Sequence, residues 1–287
     1  MIIAITGAGG LIGQRIQHDL TDICPEFLVL SRGEPVEAWR NKISRADVVI
    51  NLAGHPILCR WHKANRMKIL DSRVRTIQQV VSILNELPQE SSAKLFISAS
   101  AIGIYPDNAT LPFQENAIET GNNFLSEVVV KWEAETNRLT NKKIRTVIMR
   151  LGVVLGKESA MIKQLLPLFK LGLGGKIGHG KQMMSFIHIE DLMNAIRFFI
   201  QNNEAEGIYN IVAPNPVSNA HFTKVFSRLV NRPALFTVPS IMLKLVYGES
   251  SRILTKGSAV FPKRLIQQNF EFNYPRIEHA LQEICAE

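Results

Sequence analysis

Three glycines placed directly after an apolar run constrain this chain more than any other feature. The first thirteen residues read M-I-I-A-I-T-G-A-G-G-L-I-G. Ile2, Ile3 and Ile5 form a β-branched run of the kind a parallel sheet buries on both faces. Gly7, Gly10 and Gly13 follow at once. An amphipathic stretch then runs from Leu11 to Leu20, with Leu11, Ile12, Ile16 and Leu20 on one side. The pattern is strand, tight turn, helix. The start of a helix presents unpaired N–H groups and a partial positive charge, and glycines let a backbone turn tightly and approach a pyrophosphate closely. A G-x-x-G-x-x-G spacing alone says little; placed between a strand and a helix it predicts a dinucleotide site.

The next segments extend that frame. Phe27–Leu30 reads as a second strand ending in Ser31-Arg32-Gly33. A fold that prefers NAD carries an acid about twenty residues past the glycines to bind the ribose 2′-hydroxyl. Here Ser31 and Arg32 stand in that place, and a guanidinium forms forked, charge-assisted bonds with a phosphate. The expected cofactor is therefore NADP(H). Residues 47–52 predict a third strand leading into Ala53-Gly54, where small side chains leave room for a cofactor. A long helix follows over 63–85, its apolar residues Met67, Leu70, Val74, Ile77, Val81 and Leu84 at helical spacing and Arg66, Lys68, Arg73 and Arg75 riding on it. Leu95–Ile97 is a fourth strand. It runs into Ser98-Ala99-Ser100 and Tyr105, whose hydroxyls at a sheet edge are candidates to bond a substrate oxygen. A helix over 122–139 and a strand over 144–151 come next, then Gly152-Val153. Residues 159–171 read as a helix interrupted by Pro167, and a loop with five glycines between 172 and 180 is either a cover over a site or a tight corner. A short strand enters a helix at Ser185–Asp191, with His188 read as structural. Strand 207–211 and helices over 220–230, 239–247 and 276–284 complete the chain. Prolines at 214, 216, 233, 239, 262 and 275 punctuate a smaller C-terminal part.

The chain is thus read as α/β: a Rossmann-type doubly wound parallel sheet over 1–212, with 152–185 contributing to the substrate side, and a small, mostly helical C-terminal domain over 213–287. Charged residues make up 20% and apolar residues 46% of the 287 positions, which suits a globular protein. Apolar runs are too short to span a bilayer, and the opening strand is unlike a leader peptide. Three cysteines, none in a C-x-x-C pair, suit free thiols in the cytoplasm. His55, Cys59 and His62 match no common zinc spacing, so no metal is expected. The net charge is +8, but no basic run exceeds two residues. The expected partner is a small-molecule substrate of unknown identity, with neither nucleic acid nor membrane. The oligomeric state is left open, a homodimer included.

With those residues in hand, the chain resembles the short-chain dehydrogenase/reductase superfamily on its extended, sugar-nucleotide-epimerase-like side. The segments that carry the resemblance are T-G-A-G-G-L-I-G at 6–13, N-L-A-G at 51–54, S-A-S-A-I-G-I-Y at 98–105, R-L-G-V-V-L-G at 150–156 and H-I-E-D-L at 188–192. K-L-G-L-G-G-K-I-G at 170–178, A-P-N-P-V-S-N-A at 213–220 and F-P-K-R-L at 261–265 resemble atypical epimerase-family proteins that carry an extra C-terminal domain of unknown function. The resemblance covers essentially the whole chain. It implies that Gly7, Gly10 and Gly13, with Leu11 and Ile12 between them, hold the pyrophosphate and that Ser31 and Arg32 hold the 2′-phosphate. It places Leu52, Ala53 and Gly54 along the adenosine and ribose, Lys68 and Arg73 near the cofactor, Ser98 and Ser100 (with Ala99 between them) near the nicotinamide, and Gly152 and Val153 beyond it.

One departure stands out. Active members use Tyr-x-x-x-Lys on the helix before the fifth strand, where the lysine lowers the tyrosine pKa so that the phenol exchanges a proton during hydride transfer. Anchored on Trp132-Glu133, those two positions here are Leu125 and Val129, and no tyrosine in the chain has lysine four residues later. Ser100 and Tyr105 are the remaining catalytic candidates. Two readings stay open: an NADP(H)-dependent oxidoreductase or epimerase acting at a hydroxyl or carbonyl carbon, and a non-catalytic NADP(H)-binding protein that senses redox state or binds a partner.

Overall fold

A computed structural model of the chain describes residues 1–88, 91–107 and 112–286. The first half alternates strand and helix: β1 Ile2–Thr6, α1 Leu11–Asp19, β2 Glu26–Leu30, α2 Val36–Arg45, β3 Val48–Asn51, α3 Lys63–Glu86, β4 Leu95–Ala101, α4 Phe124–Thr136 and β5 Arg145–Leu151. Alternation of this kind leaves parallel strands as the natural outcome, because each helix carries the chain back to the start of the sheet. With β10 (Gly207–Ile211) these strands form one six-stranded sheet in the order β10-β5-β4-β3-β1-β2, parallel at every junction. Strand order reverses at β1: the chain passes to β2 on one side and to β3 on the other.

The apolar runs are buried on both faces. Ile3 and Ile5 point into a core shared with α1 and α6 (Ile189–Gln201), whereas Ala4 points into a second core made by α2, α3 and α4. Helices on both faces make the sheet doubly wound. Register is set by the same runs, since a one-residue slip would exchange the two cores.

After β5 the chain builds a smaller layer: β6 Val153–Leu155, α5 Ala160–Lys170, β7 Gly175–Ile177, β8 Met183–Met184 and β9 Phe186–His188, then, beyond β10, β11 Val217–Ser218, α7 Asn219–Leu229, β12 Phe236–Val238, α8 Ser240–Tyr247, α9 Arg252–Thr255, α10 Lys263–Gln267 and α11 Ile277–Cys285. Phe169, Phe222, Phe226, Ile277 and Leu281 pack together as the core of this layer. Leu265 on α10 returns to the main core beside β10.

Several sequence expectations need correction. Ser98 and Ser100 lie inside β4, not beyond it, because pairing with β5 continues through Ser98↔Ile148, Ser100↔Arg150 and Ala101↔Leu151. Pro167 does not interrupt α5. It removes only the donor for the Lys163 carbonyl, and both residues lie on the exposed side of the helix, where the missing bond is least costly. The glycine loop is a tight corner: Gly172, Gly178 and Gly180 have positive φ, and β7 pairs with β12 between the turns. Helix α2 was not anticipated at all.

Candidate functional site

The residues at the carboxyl ends of β1, β2 and β3 and one face of α3 enclose a cleft of about 1120 Å³. It opens where the strand order reverses, which is the place an open α/β sheet offers a ligand. The turn after β1 shapes its floor. Gly7 has φ +70°, and a Cβ there would lie 2.8 Å from the Leu52 carbonyl carbon. Gly13 serves differently. A Cβ there would stand 2.4 Å from the Gly7 oxygen and 2.7 Å from the Ala8 Cα, so its glycine lets α1 pack against the turn. It is buried and does not line the cleft. A Cβ at Gly9 would meet nothing within 4 Å, so that side of the turn is open.

Gly10 precedes helix α1 as its N-cap, with no side-chain cap bond and no acid in the first turn. The Gly10 amide is used by Gly7 at 3.0 Å, and the Gln14 amide returns to Gly10 at 2.9 Å. Among the described residues the amides of Leu11 and Ile12 meet no backbone acceptor. The donors, the macrodipole and the missing Cβ atoms form a cradle for an anion of phosphate size.

At the end of β2, Ser31 and Arg32 are exposed on the cleft wall. The Ser31 carbonyl accepts from Trp39 Nε1 at 3.1 Å, which ties this turn to α2. Across the cleft α3 contributes Lys68, Asp71, Ser72, Arg75, Thr76 and Gln79, one polar stripe at helical spacing. Asp71 pairs with Arg75 at 3.2 Å, and Glu34 at the cleft edge pairs with Lys42 at 2.8 Å, which holds the Glu34 carboxyl below its usual range. Arg32 and Lys68 enter no ion pair among the described residues. Two free cations and a bare helix start in one cleft of this volume suit a dinucleotide with an added phosphate.

The structure therefore gathers Gly7, Gly10, Ser31, Arg32, Leu52, Ala53, Gly54 and Lys68 around one space. Arg73 is elsewhere. It lies beneath the loop, with its guanidinium 2.9 Å from where a Gly54 Cβ would be. Its Nη1 donates to the carbonyls of His55 and Ile69, each at 3.1 Å, and it stacks 5.3 Å from the Trp132 ring. Burial brings its pKa down to about 10. It braces the loop from below. Ser98, Ala99, Gly152 and Val153 do not line the cleft either. Ser98 Oγ is spent on the Ala99 carbonyl and Thr136, the Gly152 amide donates to Ile211, and Val153 pairs with β9.

The two catalytic candidates, Ser100 and Tyr105, also lie off the cleft wall. Ser100 donates to Glu133 Oε1 at 2.5 Å. Arg150 clamps the same carboxylate with Nε at 2.8 Å and Nη2 at 2.7 Å. Arg150 Nη1 donates to the Tyr105 hydroxyl at 2.9 Å, and that hydroxyl lies 2.8 Å from Asn210 Oδ1, to which it donates. All five residues are buried. Burial pulls the Arg150 pKa down, but the bonds to Glu133 outweigh it and leave it raised. Burial likewise raises the Tyr105 phenol, further than Arg150 lowers it. A phenol with a raised pKa keeps its proton, and its O–H already donates to Asn210, so it is not poised as a general base. Both expected proton carriers belong to a structural network.

Sequence reasoning weighed His55 only as a metal ligand and missed Asp71, Ser72, Thr76 and Gln79 on the cleft wall. The α3 residues were visible as a polar repeat on the face opposite the apolar one. His55 had no such signal.

A family model for the NAD-dependent epimerase/dehydratase family matches residues 3–212, and one for a domain of unknown function (DUF1731) matches 238–284. The epimerase family protein YfhF of Bacillus subtilis is 34% identical over 100% of this chain and 99% of its own length. The epimerase family protein SDR39U1 homolog, chloroplastic, of Arabidopsis thaliana is 33% identical over 99% of this chain and 86% of that protein. The crystal structure of human epimerase family protein SDR39U1 (isoform 2) with NADPH superposes with a TM-score of 0.92 at 30% identity, covering 99% of both chains.

Proposed function

From the premise that the chain belongs to the NAD-dependent epimerase/dehydratase family, we propose that it binds NADP(H) in the cleft at β1 and β3 without running the family's Tyr–Lys proton relay. The human relative with the same fold was crystallised with NADPH. Here the turn at Gly7–Gly10 and the start of α1 would hold the diphosphate, Ser31 and Arg32 the 2′-phosphate, and the polar face of α3 the adenosine side. The bound cofactor would supply a transferable hydride.

One observation carries the second half of the proposal. The hydroxyls nearest the reacting end of such a sheet, Ser100 and Tyr105, are locked to Glu133, Arg150 and Asn210, while Leu125 and Val129 occupy the positions of the proton-transferring pair. The cofactor is then a bound ligand whose occupancy reports the NADPH pool. A second reading, hydride transfer at a hydroxyl or carbonyl carbon, has one observation in its favour: His55 places an imidazole-bearing residue on the cleft wall, its amide fixed by Ser72 Oγ at 2.8 Å. Mixing NADPH-loaded protein with a panel of aldehydes, ketones and nucleotide-sugar ketoses separates the two. The proposal expects saturable binding and no loss of nicotinamide absorbance. Consumption of NADPH that disappears in His55→Ala would select the second reading.

A further inference from the structure

The net charge of +8 is not spread over the chain. Residues 159–189 and 207–248 contain eight lysines and arginines and no aspartate or glutamate, so these two segments hold the entire excess and the remainder is neutral. The fold brings them together. β7 and β12 pair in parallel, Gly178 donates to the Val238 carbonyl at 2.9 Å, and Arg232 Nε donates to the Lys170 carbonyl at 3.1 Å. α8 follows β12 directly.

The same two segments carry nine of the fifteen large apolar side chains that the described residues expose. Leu171 is 72% exposed, Leu235 84%, Ile241 69% and Leu245 70%. α8 buries none of its residues fully; Ile241, Met242, Leu245 and Val246 form a stripe turned outward. Its far end is nonetheless held in place, since Arg60 donates to the carbonyls of Leu245 and Val246 and Arg66 pairs with Glu249. This is an ordered apolar surface, and the same segments carry the exposed cations Lys170, Lys176, Arg232 and Lys244.

A patch of this kind marks a contact surface, and its chemistry selects the occupant. A second copy meeting it about a two-fold axis would set like charges against each other. Protein interfaces favour tyrosine, tryptophan and arginine and are poor in lysine. Here the apolar members are mainly aliphatic and the cations are mainly lysine, the combination that the boundary between acyl chains and anionic headgroups accepts. We propose that α8, the β7–β12 ribbon and the end of α5 dock this protein peripherally on an anionic phospholipid surface. The sequence expectation of no membrane partner rested on run length. No helix among the described residues is long and apolar enough to cross a bilayer, but a surface assembled from two distant segments has no long run to find.

The test is flotation of the full chain with vesicles of phosphatidylcholine alone or mixed with phosphatidylglycerol, at low salt, with NADPH binding as the check on folding. The protein is expected to float with the anionic vesicles only. Ile241→Asp/Leu245→Asp should abolish flotation. Lys170→Gln/Lys176→Gln/Lys244→Gln should weaken partitioning about a hundredfold, at about fivefold per cation; this variant leaves the apolar face intact and carries the test if the first does not fold. Failure to float with anionic vesicles, or flotation unchanged in both variants, overturns the proposal. So does a dimer by sedimentation equilibrium that Ile241→Asp/Leu245→Asp dissolves, which assigns the face to a second copy. Binding of poly-glutamate without binding of vesicles overturns it in favour of an acidic protein.

Discussion

Replacing Glu133 by glutamine tests whether the network behind β4 is structural. The Glu133 carboxylate accepts three bonds, from Ser100 Oγ and from Arg150 Nε and Nη2, with 8% of its side chain and 6% of that of Arg150 exposed. Glutamine keeps the shape, but it removes the charge that compensates Arg150 and turns one acceptor into a donor facing a donor. Water screens little at this burial, so the cost is that of leaving one partner of a buried pair uncompensated, about 3–5 kcal/mol. With an unfolding entropy of about 2.1 cal/mol/K per residue, a chain of 287 residues loses roughly 1.7 °C of Tm per kcal/mol, or about 5–8 °C in all. Differential scanning calorimetry reads this directly. Glu133→Gln/Arg150→Met removes both charges, and should lose less than the two single variants together by about 2 kcal/mol. NADPH affinity should be unchanged below the transition. A Tm for Glu133→Gln within about a degree of the parent, or strict additivity in the double variant, would refute the reasoning.

Three further outcomes follow from the same geometry. Gly13→Ala would drive a Cβ into the Gly7 carbonyl and should cost about 1–3 kcal/mol by thermal unfolding, along with NADPH binding, whereas Gly9→Ala, with open space around it, should leave Tm unchanged. Arg32→Ala should weaken NADPH about tenfold and leave NADH alone, measured by fluorescence titration; equal loss for both cofactors would contradict the assignment of Arg32 to the 2′-phosphate. Burial raises the Asp191 carboxyl to about 6, against the pull of the Asn273 and Tyr274 amides that bond it. Between pH 4 and 6 the folded state then binds more protons than the unfolded one, so stability falls as pH rises through that window, by up to about 3 kcal/mol. Urea midpoints against pH should show that slope in the parent and lose it in Asp191→Asn.

The central sheet was legible because its signals are local. β1 and the glycine turn are contiguous, and the apolar period of α3 runs over several turns. α2 was missed although Trp39 and Ile43 stand at helical spacing after Pro35, because the span is short and otherwise polar. Ser98 and Ser100 looked like the end of a strand because the apolar run stops at Ile97; their pairing with β5 is a tertiary fact. The same holds for Glu133 and Arg150, which sit on different elements and whose bond has no trace in spacing. The cleft at β1, β2 and β3 was therefore readable from sequence motifs, while the arrangement behind β4 and β5 depended on which buried groups satisfy one another.

The central claim is that a dinucleotide carrying a 2′-phosphate binds at the start of α1. Isothermal titration of cofactor-stripped protein with NADPH and then NADH tests it most directly. The account predicts saturable one-to-one binding of NADPH, at least tenfold tighter than NADH. Absence of heat with NADPH at millimolar concentration, or a preference for NADH, would contradict it.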